Sequence, residues 1–373
     1  MTSNNGIIYP PLQKGIIRES NLELLRLVCM YYIVVHHILI HALHQVAGYG
    51  LTVDLSKYTI ISTILDSFLF VAVNSFILIS GFFSIRLKMS KLIHIYILCA
   101  AYGALFYFLH LYLDGQSIGR TFLKQSLFAI SHSDLWFIQS YFFLCLLSPL
   151  LNGSIDYMNK KQHLSVIIAL TFLNVYFGFV WRNPINPDGY NVMNFIFIYV
   201  IGQYMKKYIS IQKLTESRNK LIFLYIVMSV VFGLWMLFVV FILKQNTMSA
   251  ISWSYNNPFI IISSIIFFCI FLTFNFRSKK INWLATSTIA VYIIHENNYF
   301  RHYIYTVIIA ISNHLILLND IVLMYLSILL FALLFMIACL LFDKIFQKII
   351  SPVKRLLIFL WVKIEARYNV PSK

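Results

Sequence analysis

The chain has 373 residues, of which 60% are hydrophobic and only 11% charged, and its mean hydropathy is +0.79. A soluble domain carries about 25% charged residues, so this composition excludes an ordinary water-soluble fold and points to a bundle of membrane helices. The net charge of +16 is accounted for by topology, as set out below, and no nucleic-acid partner is expected.

Residues 1–21 are polar, contain Pro10 and Pro11, and read as a cytoplasmic N-terminal segment. The apolar stretch that follows, Glu23 to Leu43, is too long for a secretory signal and has no small-residue cleavage site, so it reads as a retained span. Arg26 and His37 lie within it, eleven residues apart. That is close to three helical turns, so the two side chains share a face and stand about 16 Å apart along the axis. Ionisable groups inside a span are costly and mark function by default. The bland reading of Arg26 is a snorkelling side chain at the membrane edge, paired with Glu23. His37 lies deeper, where snorkelling is harder. His37, His41 and His44 form a stripe, but no carboxylate or cysteine is near them in sequence, and no metal is expected.

Further along the chain, spans of the ~20 residues needed to cross a bilayer are predicted near 59–84, 92–113, 134–152, 163–181, 191–209, 220–243, 257–276, 283–300 and 321–342. With the first, near 22–46, they make about ten. The segment 120–131 is short and reads as interfacial or re-entrant, and 301–318 is ambiguous. The membrane domain is placed at 22–345. Residues 346–373 mix basic and bulky apolar side chains and read as a cytoplasmic amphipathic tail on the inner surface. The expected fold is all-α, a polytopic integral membrane helix bundle with both termini cytoplasmic. Cys29, Cys99, Cys145, Cys269 and Cys339 all fall in apolar segments without a CxxC, which favours packing over disulfides or metal.

Basic residues set the orientation. One side collects Lys14, Arg18, Arg86, Lys88, Lys91, Lys160, Lys161, Lys206, Lys207 and the tail lysines; the other keeps only Lys57, Arg120, Lys124, Arg182, Lys244 and Arg301. The positive side faces the cytoplasm, beside an anionic leaflet. Arg86, Lys88 and Lys91 follow Ser80-Gly81 and emerge on this side. The positive-inside rule alone explains them; the functional reading is an anion site, since Arg binds phosphate bidentately and Lys acts as a point charge. On the outer side, 181–191 and 249–258 combine Trp or Tyr with Asn and Asp, as sugar sites do, although interfacial aromatics account for Trp181, Trp253 and Tyr255 equally well. His295 and Glu296 are adjacent, and neighbours on a helix do not face each other, so no dyad follows from the sequence.

These segments resemble one family. LELLRLVCMYYIVVHH is similar to the first helix of the membrane acyltransferase-3 family, where a basic residue and a His are separated by ten intervening residues; Arg26 and His37 fit, His36 does not. VNSFILISGFFSIRLK resembles its second helix, which ends in Ser-Gly and a basic-x-basic motif, filled here by Ser80, Gly81, Arg86 and Lys88. DLWFIQSYFF and WLATSTIAVYIIHENNYF resemble two later segments, the last matching at Tyr292 and His295. The resemblance covers nearly the whole chain. It departs at Asn74, where many members have Asp, and at Lys88, where a second Arg is usual.

The resemblance implies transfer of an acyl group, most often acetyl, from cytosolic acyl-CoA (acetyl-CoA as donor substrate) to a hydroxyl of a surface polysaccharide or lipid-linked glycan. In that reading Arg86, Lys88 and Arg26 bind the CoA phosphates. His37 acts as general base or, second, as an acyl-carrying nucleophile; Arg26 also has the option of stabilising transition-state charge, and His295 lines the acceptor side. The expected setting is the cytoplasmic (inner) membrane, among its lipids, with glycan-assembly proteins as expected neighbours. The rival reading is a glycan or lipid transporter or flippase without acyl transfer; against it, the sequence shows no repeated halves and no paired Gly/Pro-broken helices.

Overall fold

The computed structural model describes residues 19–49, 54–115, 135–244 and 251–368, together with Phe128, Ile130 and Ser131. The expectations for residues 1–18, and most of that for 120–131, lie outside the described residues. The described chain is helical, without strands. Its helices are α1 (Ser20–His37), α2 (Lys57–Leu69), α3 (Ala72–Phe82), α4 (Met89–Asp114), α5 (Trp136–Asp156), α6 (Lys160–Thr171) and α7 (Val192–Tyr208). They continue as α8 (Ile211–Glu216), α9 (Arg218–Leu237), α10 (Pro258–Leu272), α11 (Lys279–Ala285), α12 (Thr288–His295), α13 (Arg301–Leu317) and α14 (Ile321–Tyr368). Three of them, α1, α6 and α9, run on into wider π-helical turns at Ile38–Ala42, Phe172–Val180 and Phe238–Ile242.

Seven helices among the described residues are long and apolar enough to cross a membrane: Ser20–Ala42, Lys57–Phe82, Met89–Asp114, Trp136–Asp156, Lys160–Val180, Arg218–Ile242 and Ile321–Glu365. The other expected spans are built from shorter helices. The segment 257–276 holds α10, with 15 residues; 191–209 holds α7, with 17; and 283–300 is divided between α11 and α12. The ambiguous stretch 301–318 is helix α13. The expected boundary at 345/346 carries no break. α14 runs through it and through Pro352 for 48 residues, about 72 Å against a hydrocarbon core of ~30 Å.

Burial is arranged for lipid outside and polarity within. Large apolar side chains such as Leu150, Phe223 and Leu330 face outward, while Asp66, Asn74, Asn194 and Asp343 are wholly buried. All five cysteines are buried and unpaired. The tightest crossing joins α3 to α7. A Cβ on Gly81 would stand 2.1 Å from the Tyr199 carbonyl oxygen, and one on Gly202 would stand 2.6 Å from that of Leu78. Small residues let membrane helices approach backbone to backbone, where packing rather than hydrophobicity drives association.

The two polar loops that follow α6 and precede α10 are stitched together. The Tyr255 amide donates to the Asp188 carbonyl (2.8 Å), and the Asn256 side chain donates to the carbonyls of Asn186 (2.8 Å) and Asn174 (3.1 Å). Trp253 donates its indole N–H to Ala47 (2.9 Å), just beyond α1. Trp253 and Tyr255 are therefore buried, whereas Trp181 is exposed.

Gly81→Leu or Gly202→Leu is expected to force α3 and α7 apart, at a cost of at least about 1–3 kcal/mol. The check is the melting temperature of the detergent-solubilised protein, with Gly153→Leu, at a position open on that side, as the variant that should melt like the parent.

Candidate active site

α1 carries the first half of the site. It runs unbroken from Ser20 to His37, so Arg26 and His37 remain about 16 Å apart. The π-helical turn begins directly after His37; such turns appear frequently at functional sites.

His37 meets the end of α12. Its Nδ1 lies 2.9 Å from His295 Nε2 and 2.8 Å from Glu296 Oε1. Glu296 reaches this position because α12 ends at His295: Glu296 is the residue that caps it, at φ −93° and ψ 2°, off the helical path. The rule that adjacent helical residues diverge therefore does not apply, and His295 and Glu296, for which the sequence alone implies no dyad, both reach His37. The sequence signal for Glu296 was its position, a carboxylate in an apolar segment.

The hydrogen bonds set the ring tautomers. His295 Nδ1 lies 2.7 Å from the Val291 carbonyl oxygen, which can only accept, so Nδ1 carries the proton and Nε2 of the neutral ring offers a lone pair. His37 Nδ1 then carries the proton that points to His295, with the carboxylate alongside. What remains on His37 is the lone pair of Nε2. Arg301 stands 4.0 Å from the other oxygen of Glu296, so a cation balances the buried carboxylate from the far side.

His37, His295 and Glu296 also form a set of metal-ligand types, their ligand atoms within 4.8 Å of one another. The contacts of 2.8 and 2.9 Å are hydrogen-bond lengths. Ligands of a tetrahedral zinc at 2.0–2.1 Å stand about 3.3 Å apart. His41 packs near His37, with ring centroids 5.2 Å apart, but it is exposed. His36 turns the other way, to a buried contact of 2.6 Å with Asp66 on α2.

At the other end of α1, Arg26 bonds Glu23 at 3.3 Å and is 29% exposed. It lies within electrostatic reach of Tyr141 on α5, which bonds Ser80 on α3. One turn further along α5, Cys145 lies within reach of Lys91. Arg86 and Lys88 are exposed in the loop between α3 and α4, whose Ile85 carbonyl is held by the Asn152 side chain at 2.7 Å. The residues of the basic motif thus sit at the end of the bundle where α1 begins, and His37, His295 and Glu296 sit deeper.

Asn74 has a structural explanation. Its amide donates to the Tyr255 carbonyl (2.9 Å), and its oxygen accepts from the Asn194 amide (3.2 Å). It ties α3 and α7 to the polar loop that holds Tyr255, using a donor that Asp lacks.

The family model of the acyltransferase-3 domain, described as an acyltransferase domain, matches residues 19–361. No curated protein and no solved structure gives a match.

Asn74→Asp is expected to leave the buried Tyr255 carbonyl without its donor, at a cost of about 1–3 kcal/mol. Lower thermal stability in detergent, together with faster proteolysis of the 251–257 loop, would show it.

Proposed function

The chain belongs to the acyltransferase-3 family, and on that premise we propose that it is a multi-pass membrane O-acyltransferase that moves an acyl group, acetyl foremost, from cytosolic acyl-CoA to a hydroxyl of a surface polysaccharide or lipid-linked glycan. We place it in the cytoplasmic membrane with both termini inside and about ten membrane-crossing segments, some of them short. The observation that carries the reading is the position of His37: its Nδ1 is held by His295 and Glu296, on the helix that bears Arg26 three turns nearer the basic end.

In this reading the CoA phosphates rest near Arg86, Lys88 and Arg26, where guanidinium and ammonium groups make charge-assisted bonds to phosphate. The thioester arm reaches along α1. Eleven residues of helix, about 16 Å, separate the phosphate end from His37. Arg26 is therefore given the binding role, because an unbroken α1 keeps its guanidinium from the reacting carbon.

His37 Nε2 takes the proton of the acceptor hydroxyl as that oxygen bonds to the thioester carbon. The carbon–sulfur bond then breaks, and the proton passes to the departing sulfur as free CoA thiol. Glu296, 2.8 Å from Nδ1, balances the imidazolium formed in between. His295, a neutral acceptor, fixes the ring so that Nε2 faces the substrates. General-base catalysis of this kind is worth about 10²–10⁴ in rate.

The test combines two measurements. Proton NMR of the host's surface glycan compares the intact gene, its deletion and His37→Gln at matched protein levels. Acetyl signals absent from both mutant strains support the reading. Acetylation unchanged, with altered glycan amount, moves the assignment to a transporter or flippase. With purified protein and acetyl-CoA, His37→Gln and Glu296→Gln are expected to lower kcat, by about 10²–10⁴ for His37. Arg86→Ala with Lys88→Ala should instead raise KM for acetyl-CoA about tenfold or more and leave kcat near the parent value. Equal effects of both pairs on kcat would remove the division of roles.

A further inference from the structure

On the face of α1 turned away from Arg26 lies a cavity of about 820 Å³. It opens between the first turn of α1, helix α8, the start of α9 and residues 272–277 beyond α10. Its wall includes Glu19, Gln212, Thr215, Arg218, Asn275 and Arg277. Asn21 and Arg26 are five residues apart on α1, about 140° around the helix. Asn21 bonds the Phe271 carbonyl at 3.1 Å, on the cavity side, whereas Arg26 looks toward α5. Ser20 and His37 are separated by about 25 Å of helix. The cavity is therefore separate from both the basic motif and the histidines.

We infer that this cavity seats the phosphate-bearing headgroup of an anionic membrane lipid. The inference does not rest on the acyl-transfer reading. Arg218 is held rigidly: its Nε donates to Thr273 Oγ1 (2.8 Å), one Nη donates to the Thr273 carbonyl (2.6 Å), and the guanidinium stacks on Phe274 at 5.3 Å. This anchoring uses one edge of the planar group and leaves its other amino group for a phosphate. Arg277 is exposed at the rim, Gln212 and Asn275 add side-chain amides, and the acidic residues beside them are Glu19 on the wall and Glu216, which accepts from the Gln212 amide at 3.3 Å. Lys213, Lys220, Lys279 and Lys280 adjoin the same segments. Basic pockets between membrane helices on the cytoplasmic side bind such headgroups.

Two features favour a lipid over a soluble phosphate. The volume is that of a whole small-molecule site, ~300–1,000 Å³, far more than one phosphate fills. The helix that contributes Arg218 to the wall also carries exposed apolar side chains. One turn beyond Arg218, α9 exposes Ile222, Phe223, Leu224 and Ile226, with Phe223 at 69%. A headgroup at Arg218 would lay its acyl chains along this strip, and a free nucleotide would leave it bare.

The experiment is native mass spectrometry of the full-length protein in mild detergent, with phosphatidylglycerol, phosphatidylcholine or inorganic phosphate added. Phosphatidylglycerol should be retained at least fivefold more than phosphatidylcholine. Arg277→Gln, an exposed substitution that leaves the fold intact, should cut that preference at least twofold, and Arg218→Gln further, with KM for acetyl-CoA unchanged in Arg277→Gln. Equal retention of the two lipids, or a preference unaltered in both variants, would overturn the inference. So would a thermal shift from inorganic phosphate with none from phosphatidylglycerol, which would assign the cavity to a soluble ligand.

Discussion

Within a bilayer a polar group has no water to turn to, and an unsatisfied one costs several kcal/mol. The interior of this protein is organised by that constraint. Val291, His295 and His37 form a hydrogen-bonded chain from carbonyl to imidazole to imidazole, and Glu296 and Arg301 stand beside it as charges, the carboxylate 2.8 Å from His37 and 4.0 Å from the guanidinium. Removing one member leaves a neighbour exposed to the cost. Satisfaction of the chain also restricts His37 to the tautomer whose free nitrogen is Nε2, so the condition for stability and the condition for proton transfer are the same.

The rest of the bundle holds that chain in place. α1 brings His37 and α12 brings the pair that receives it, two segments 258 residues apart. The backbone contact at Gly81 and Gly202 locks α3 to α7, and Asn74 joins both to the polar loop that holds Tyr255. Trp253 then fastens that loop to the stretch following α1. Because these links are hydrogen bonds or backbone-to-backbone contacts, they have one geometry rather than many. A site whose atoms must stand within a few tenths of an ångström depends on such supports.

The relation between Arg26 and His37 was legible in the sequence because a helix is a local object with fixed rise and turn. The basic residues after Ser80-Gly81 were legible for a similar reason, since they follow directly on the end of α3. Glu296 was hidden because its placement depends on where α12 stops, and a helix end in an apolar run has no strong local signature. Trp253 and Tyr255 read equally as sugar-contacting or interfacial aromatics, since composition does not tell a residue at a membrane surface from one folded beneath a neighbouring loop. The short helices α10, α11 and α12 were blurred for a related reason: hydropathy registers an apolar stretch but not the turns that divide it.

The length of α1 ties binding to chemistry. The acyl-CoA donor proposed above carries its charge at one end and its reactive carbon at the other, and it needs a receptor with the same separation. An unbroken helix supplies it, because each residue adds a fixed rise of ~1.5 Å. Inserting or deleting a single residue between Arg26 and His37 would change that distance only slightly but would rotate His37 by ~100°, away from His295 and Glu296. The spacing is therefore held less by the span it measures than by the face it selects. A basic residue and a histidine separated by a near-whole number of turns is the pattern such a demand leaves in a sequence.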